Sequence, residues 1–164
     1  MRFSAAFTAF ILLTLICSGC GGGGGDAAAP LQFQPTPANS VIIKSAGPAT
    51  TLYGVQFTLQ FPTGVTLATP GGGVVAQGVL TPSGGGAGSS VSAYYDSGAT
   101  PQTVTVSVTN SSGFQVGQFL TIATQVAPGT TLVPGNLVLT QFKAYDSVAS
   151  GTVDTAITGE VSAP

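Results

Sequence analysis

Cys17 and Cys20 are the only cysteines in a chain of 164 residues, and their C-x-x-C spacing is the first arrangement in the sequence that could do chemistry. Two thiols so spaced can form a redox pair or half of a tetrahedral metal site, and one thiol at a processing point can be an attachment site. The redox and metal readings each need a framework, such as a strand-to-helix turn or a second cysteine pair. Neither is present, and Gly21 to Gly25 follow Cys20 directly. A glycine run cannot form a core element, so a buried thiol pair is excluded as well.

The other reactive residue types are sparse. Four of the five acids are Asp96, Asp146, Asp154 and Glu160. Paired carboxylates for acid/base work need a cleft that holds them together, and a calcium cage needs several oxygens from one tight loop. No D-x-D-x-D-G run occurs, and the acids stand singly beside turn signals, which reads as surface placement. The chain has no His and no Trp, so the commonest general base, the commonest metal ligand and the strongest aromatic platform are all missing. These residues argue against an enzyme and imply no cofactor and no metal. The cations are Arg2, Lys44 and Lys143, too few for the basic patch that nucleic acid requires. The glycine-rich "TPGGG" and "SGGGAG" lack the following helix with Lys and Ser or Thr that a phosphate cradle needs, and read as flexible loops. "NSS" at Asn110 reads as a hairpin turn.

Residues 1–19 have the layout of an export signal: Arg2, an apolar stretch from Ala5 to Ile16, then Ser18 and Gly19 at a cleavage point. The stretch is shorter than the roughly 20 apolar residues of a membrane helix. With Leu15, Ile16, Cys17, Ser18, Gly19 and Cys20 it resembles the bacterial lipoprotein signal, departing from it in having Cys17 where that family usually has Leu. The resemblance implies cleavage between Gly19 and Cys20, a diacylglycerol on the Cys20 sulfur and an acylated new amino terminus. Several acyl chains anchor stably where one is marginal. Gly21 in place of an aspartate resembles lipoproteins sorted onward to an outer membrane, so the implied address is the bacterial cell envelope or surface. Residues 20–37, rich in Gly, Ala and Pro, read as a tether. Glycine-rich statistics give it a reach of about 5 to 6 Å times the square root of its length.

Residues 38–164 carry period-two patterning and no amphipathic helix. In "LYGVQFTLQF" the alternation puts Tyr53, Val55, Phe57, Leu59 and Phe61 on one face and Gly54, Gln56, Thr58 and Gln60 on the other. "TVTVSVTN" likewise places Val104, Val106 and Val108 inward, with Thr103, Thr105 and Ser107 outward. Further strands are expected at 41–44, 65–67, 74–80, 90–95, 118–126, 137–145 and 155–161, with Pro and Gly punctuation between them. Only 5% of residues are charged, against about 25% ordinarily. Yet 43% are hydrophobic, so a folded all-β domain with a Thr, Ser, Gln and Gly surface is expected. Eight or nine one-faced strands imply an antiparallel sandwich. With so few charges to guard its sheet edges, such a domain needs prolines, bulges or a partner there.

"LYGVQFTLQFPTGVTL" is similar to the early strand pair of cohesin domains. "GQFLTIATQVAPGT" resembles their late strand and "LVLTQFKAYDSVASGTVDTAITGEV" their closing hairpin. The resemblance implies a jelly-roll sandwich of the cohesin and carbohydrate-binding-module kind, acting as a noncatalytic module for a dockerin-like or other envelope protein. Polysaccharide binding and a structural envelope role are the alternatives. Candidate contact residues are Gln56, Thr58 and Gln60 on the wet strand face, with Tyr94 and Tyr95, of which adjacent-residue geometry makes one core and one exposed. Phe114 and Tyr145 read as isolated surface aromatics. In the mature protein, mass spectrometry of the membrane fraction is expected to find a first peptide that begins at Cys20 and carries acyl mass. An unmodified peptide spanning Gly19 to Asp26 would contradict this.

Overall fold

The computed structural model describes residues 39–147 and 153–163. Cys17, Gly19, Cys20, the signal and the tether lie outside the described residues. Residues 35–164 form one compact unit.

Ten strands follow in order: β1 (Ser40–Ala46), β2 (Thr51–Phe61), β3 (Val65–Thr66), β4 (Leu80–Pro82), β5 (Ser90–Asp96), β6 (Gln102–Gln115), β7 (Gln118–Ala123), β8 (Gln125–Val126), β9 (Val138–Tyr145) and β10 (Thr158–Ser162). Two four-stranded sheets run β10-β1-β7-β4 and β5-β6-β2-β9, and β3 pairs with β8 beside them. All pairings are antiparallel. The chain is therefore the all-β sandwich that its alternation implies.

The core lies where the two inner faces meet. Val55, Phe57, Leu59 and Phe61 of β2 and Val104, Val106 and Val108 of β6 are buried from one side, Val41, Ile43, Leu120 and Ile122 from the other. Phe57 of the second sheet meets Phe119 of the first edge to face at 6.1 Å, and Phe114 packs on Phe119 at 5.9 Å. Such aromatic pairs contribute about 0.5–1.5 kcal/mol beyond the area they bury. They join the layers without any disulfide among the described residues.

The structure departs from the pattern read in the sequence at several places. Leu52, not Tyr53, is buried at the start of β2, because the β2–β6 register shifts between Leu52 and Gly54. Opposite that shift, β6 does not turn at "NSSG". It detours through Asn110–Gly113 and continues to Gln115, with Gly113 in a left-handed conformation (φ 75°) that glycine adopts without strain. The detour returns Phe114 to the core, so Phe114 is not a surface aromatic. The 74–80 segment is not one strand: its apolar Val75, Ala76 and Val79 pack on the core from an irregular loop, Val74 makes isolated bridges to Gly71 and Tyr94, and the strand proper is Leu80–Pro82. "SGGGAG" is a packed 3-10 turn over Gly84–Gly86 rather than a free loop. A β-carbon at Gly86 would run into the Phe119 backbone, so the close approach demands glycine. The segment read as 118–126 divides into β7 and β8, and the last strand starts at Thr158, three residues later than its pattern implied.

Three of the four outer strands of the two sheets, β4, β5 and β9, are interrupted or covered. Strand β4 ends on Pro82, and the 71–74 loop lies along β5, where Tyr95 N–H donates to the Gly73 carbonyl at 2.8 Å. Strand β9 is bulged, and Asp154 N–H donates to its Ala144 carbonyl at 2.9 Å. Interruption and cover blunt an edge as effectively as charge does. Replacing Phe57 by Ala is expected to cost about 3–5 kcal/mol, from lost transfer energy and a residual cavity between the layers. Urea unfolding of the variant against the parent chain measures it.

Candidate functional site

The outer face of the β5-β6-β2-β9 sheet gathers most of the residues whose types and spacing suggested contact chemistry. Register places them in rows across the four strands. Ser92, Ser107, Gln56 and Lys143 form one row, Tyr94, Thr105, Thr58 and Thr140 the next, and Asp96, Thr103, Gln60 and Val138 a third. Gln56, Thr58, Gln60 and Tyr94 thus share one surface. Tyr95 does not: it is 2% exposed against 61% for Tyr94. Its ring meets Phe61 edge to face, and its hydroxyl donates to Gln102 Oε1 at 2.6 Å. One tyrosine of the pair is core and the other is surface, as strand geometry requires, and Tyr95 is withdrawn as a contact residue.

A β-bulge gives the middle row its shape. Between Gln56 and Thr58 the β9 register slips by one, and Gln141 takes a left-handed conformation at φ 52°. Leu139, Phe142 and Ala144 still point inward, so Thr140 and Gln141 both face out. Thr58 Oγ1 donates to Gln141 Oε1 at 3.1 Å and lies 3.2 Å from Thr105 Oγ1. A hydroxyl has one proton, so Thr105 donates to Thr58 and the bonds run in one direction from β6 through β2 to β9. A hollow of about 350 Å³ opens beside them, lined by Gln56, Thr58, Thr105, Gln141 and Lys143. A second, of about 330 Å³, lies between Tyr94 and Ser107. The third and largest, about 470 Å³, occupies the end of the same face between Tyr53 and Tyr145.

The sequence reading did not place Gln141 and Lys143 on this face, put Tyr53 on the core side of β2, and took Tyr145 for an isolated surface aromatic. A signal for the bulge was there: in "LVLTQFKAY" the apolar residues are spaced three and then two apart. For Tyr53, the clue would have been the glycine after it, which breaks the alternation.

The acids behave as local structure. Asp96 Oδ1 accepts from Gly98 and Ala99 N–H at 3.0 and 3.1 Å, and Asp154 Oδ1 accepts from Ala156 N–H at 2.9 Å. Glu160 is not beside a turn but within β10, opposite Lys44. Among the described residues no group of three or more His, Cys, Asp and Glu is placed to hold a metal ion. No family model, curated protein or solved structure matches the chain.

Left-handed backbone costs a non-glycine residue roughly 1–2 kcal/mol, more than the roughly 0.5–1 kcal/mol by which glycine's freedom stabilises the unfolded chain. Gln141→Gly relieves that strain but also removes the Thr58–Gln141 hydrogen bond, so the gain is read in a Thr58→Val background, where that bond is already absent: there the substitution is expected to raise the urea midpoint, with a stabilisation of up to ~1 kcal/mol.

Proposed function

We propose that this chain is a lipid-anchored, noncatalytic binding module of the bacterial cell envelope. The outer face of the β5-β6-β2-β9 sheet is its surface for a protein partner of the dockerin-like or envelope class. The carrying observation is the makeup of that face: Thr58, Thr103, Thr105, Ser92 and Ser107 lie on or beside the centre of the sheet in fixed register. Short hydroxyl side chains on paired strands have little rotamer freedom left to lose on association, which removes part of the usual cost of binding. Tyr94, on the edge strand β5, supplies the exposed aromatic of the kind that anchors interfaces. Lys143 is the one cation in the three central rows, so recognition rests on hydrogen bonding and shape more than on charge steering. The lipobox-like signal ahead of Cys20 supports the anchor, and the strand-pattern resemblance to cohesin domains supports the class of partner.

A photo-crosslinking residue at Thr105 is expected to trap a discrete envelope protein in intact cells, and the same residue at Thr121, on the outer face of the other sheet, to trap none. Equal yields from the two faces would remove the assignment. Tyr94→Ala is expected to lower the Thr105 yield severalfold.

A further inference from the structure

We propose that the hollow between Tyr53 and Tyr145 binds one neutral sugar ring, independently of the protein-contact rows beside it. Three features of the chain build the hollow. The detour of β6 through Asn110–Gly113 raises a wall where β2 spends a single residue, Tyr53. That wall is pinned: Asn110 Oδ1 accepts from Ser112 N–H at 2.9 Å, and Asn110 Nδ2 donates to Ser89 Oγ at 3.3 Å. Gly54 forms the floor, and the Tyr145 ring lies across it, with Cδ2 3.6 Å from where a β-carbon would stand. An irregularity of two strands thus leaves a depression of about 470 Å³ at the end of this face. This is within the roughly 300–1,000 Å³ of small-molecule sites.

The lining selects the ligand. Every described residue lining the hollow is uncharged, so an ionic ligand would lose its hydration with no countercharge in return. A wholly apolar ligand would strip water from the hydroxyls of Ser90 and Ser111 and give them no partner. What fits is a molecule with an apolar C–H face and a rim of hydroxyls. Its C–H face stacks on a tyrosine, whose ring face carries the negative part of the quadrupole, and its hydroxyls exchange hydrogen bonds with the serines and the Tyr145 hydroxyl. A pyranose has that anatomy. Tyr53 and Tyr145 both line the hollow, while Tyr94 stands on β5, at the sheet edge opposite β9, so the paired aromatics are confined to one hollow that reads a single ring and not the flat surface of a polymer.

Titration calorimetry of the detergent-solubilised full chain tests this, with cellohexaose, xylohexaose and chitohexaose as neutral probes, oligogalacturonate as the anionic one and hexaproline as an extended peptide. At least one neutral probe is expected to bind, with an affinity that changes less than about twofold between ~0.05 and ~0.5 M salt because no charge pair is screened. Tyr145→Ala is expected to weaken it at least ~tenfold, and Gly54→Leu, which displaces the Tyr145 ring, to abolish it. In Gly54→Ala the added methyl sits at ordinary contact distances, so weaker binding at an unchanged melting temperature reports the hollow itself. The proposal is overturned if no neutral probe binds at ~10 mM, if Tyr145→Ala and Gly54→Leu bind as the parent does, or if oligogalacturonate or hexaproline binds in place of the sugars. Crosslinking from Thr105 should persist in Tyr145→Ala, so the two readings fail separately.

Discussion

Strand β2 is hydrogen-bonded along both flanks, to β6 and to β9, and the alternation of its side chains decides what the domain can be. Its inner residues from Val55 to Phe61 are closed off from water, and they hold the second layer in place through Phe57 and Phe119. Its outer residues, Gln56, Thr58 and Gln60, are then fixed in a row by the same pleat. A slip of one residue would exchange the two sets, so core and contact face are specified together by one register. This matters more than usual in a chain where 5% of residues are charged, because little electrostatics is available to reject a wrong pairing.

The two places where that register is deliberately broken are also where the outer face gains relief. At Leu52–Gly54 the extra length lies mainly in β6, and at Phe57 it lies in β9. Each break keeps the inward residues in phase, returning Phe114 to the core in one case and Phe142 in the other. The price is local irregularity outside: a raised Asn110–Gly113 wall and a left-handed Gln141. Bulges recur where a sheet must re-aim side chains, and the hollows beside Gln141 and Tyr145 are the direct product.

Much of the fold was legible because it rests on period-two hydrophobicity. The strands around Phe57 and Val106, the Pro and Gly boundaries and the burial of one tyrosine of the 94–95 pair all follow from alternation alone. Irregular elements were not legible, for an identifiable reason. Val75 and Val79 are apolar for the sake of a loop that packs on the core, and apolar content alone does not distinguish that from a strand. The packed turn at Gly84–Gly86 and the detour at Asn110 were misread because glycine and asparagine mark both solvent turns and tight approaches. Of the site, the central rows could be named from β2, while the residues of β9 could not, since their facing depends on a bulge. The thiol that dominated the sequence lies outside the described residues.

The ends of the sandwich are not equivalent. Strand β1 starts at Ser40 and finishes close to where β2 begins, while Ser162 of β10 pairs back beside Ile42. Ser40 and Ser162 therefore lie at one pole, and the Tyr53–Tyr145 hollow lies at the other. A pull applied through residues preceding Ser40 and resisted by something held at the far pole runs along the axis of β1. That strand is bonded on each side, to β10 and to β7, by hydrogen bonds perpendicular to its length. Such bonds are strained together in shear instead of being peeled off one after another. The domain is thus wired to withstand tension in the direction in which an attachment before Ser40 would apply it.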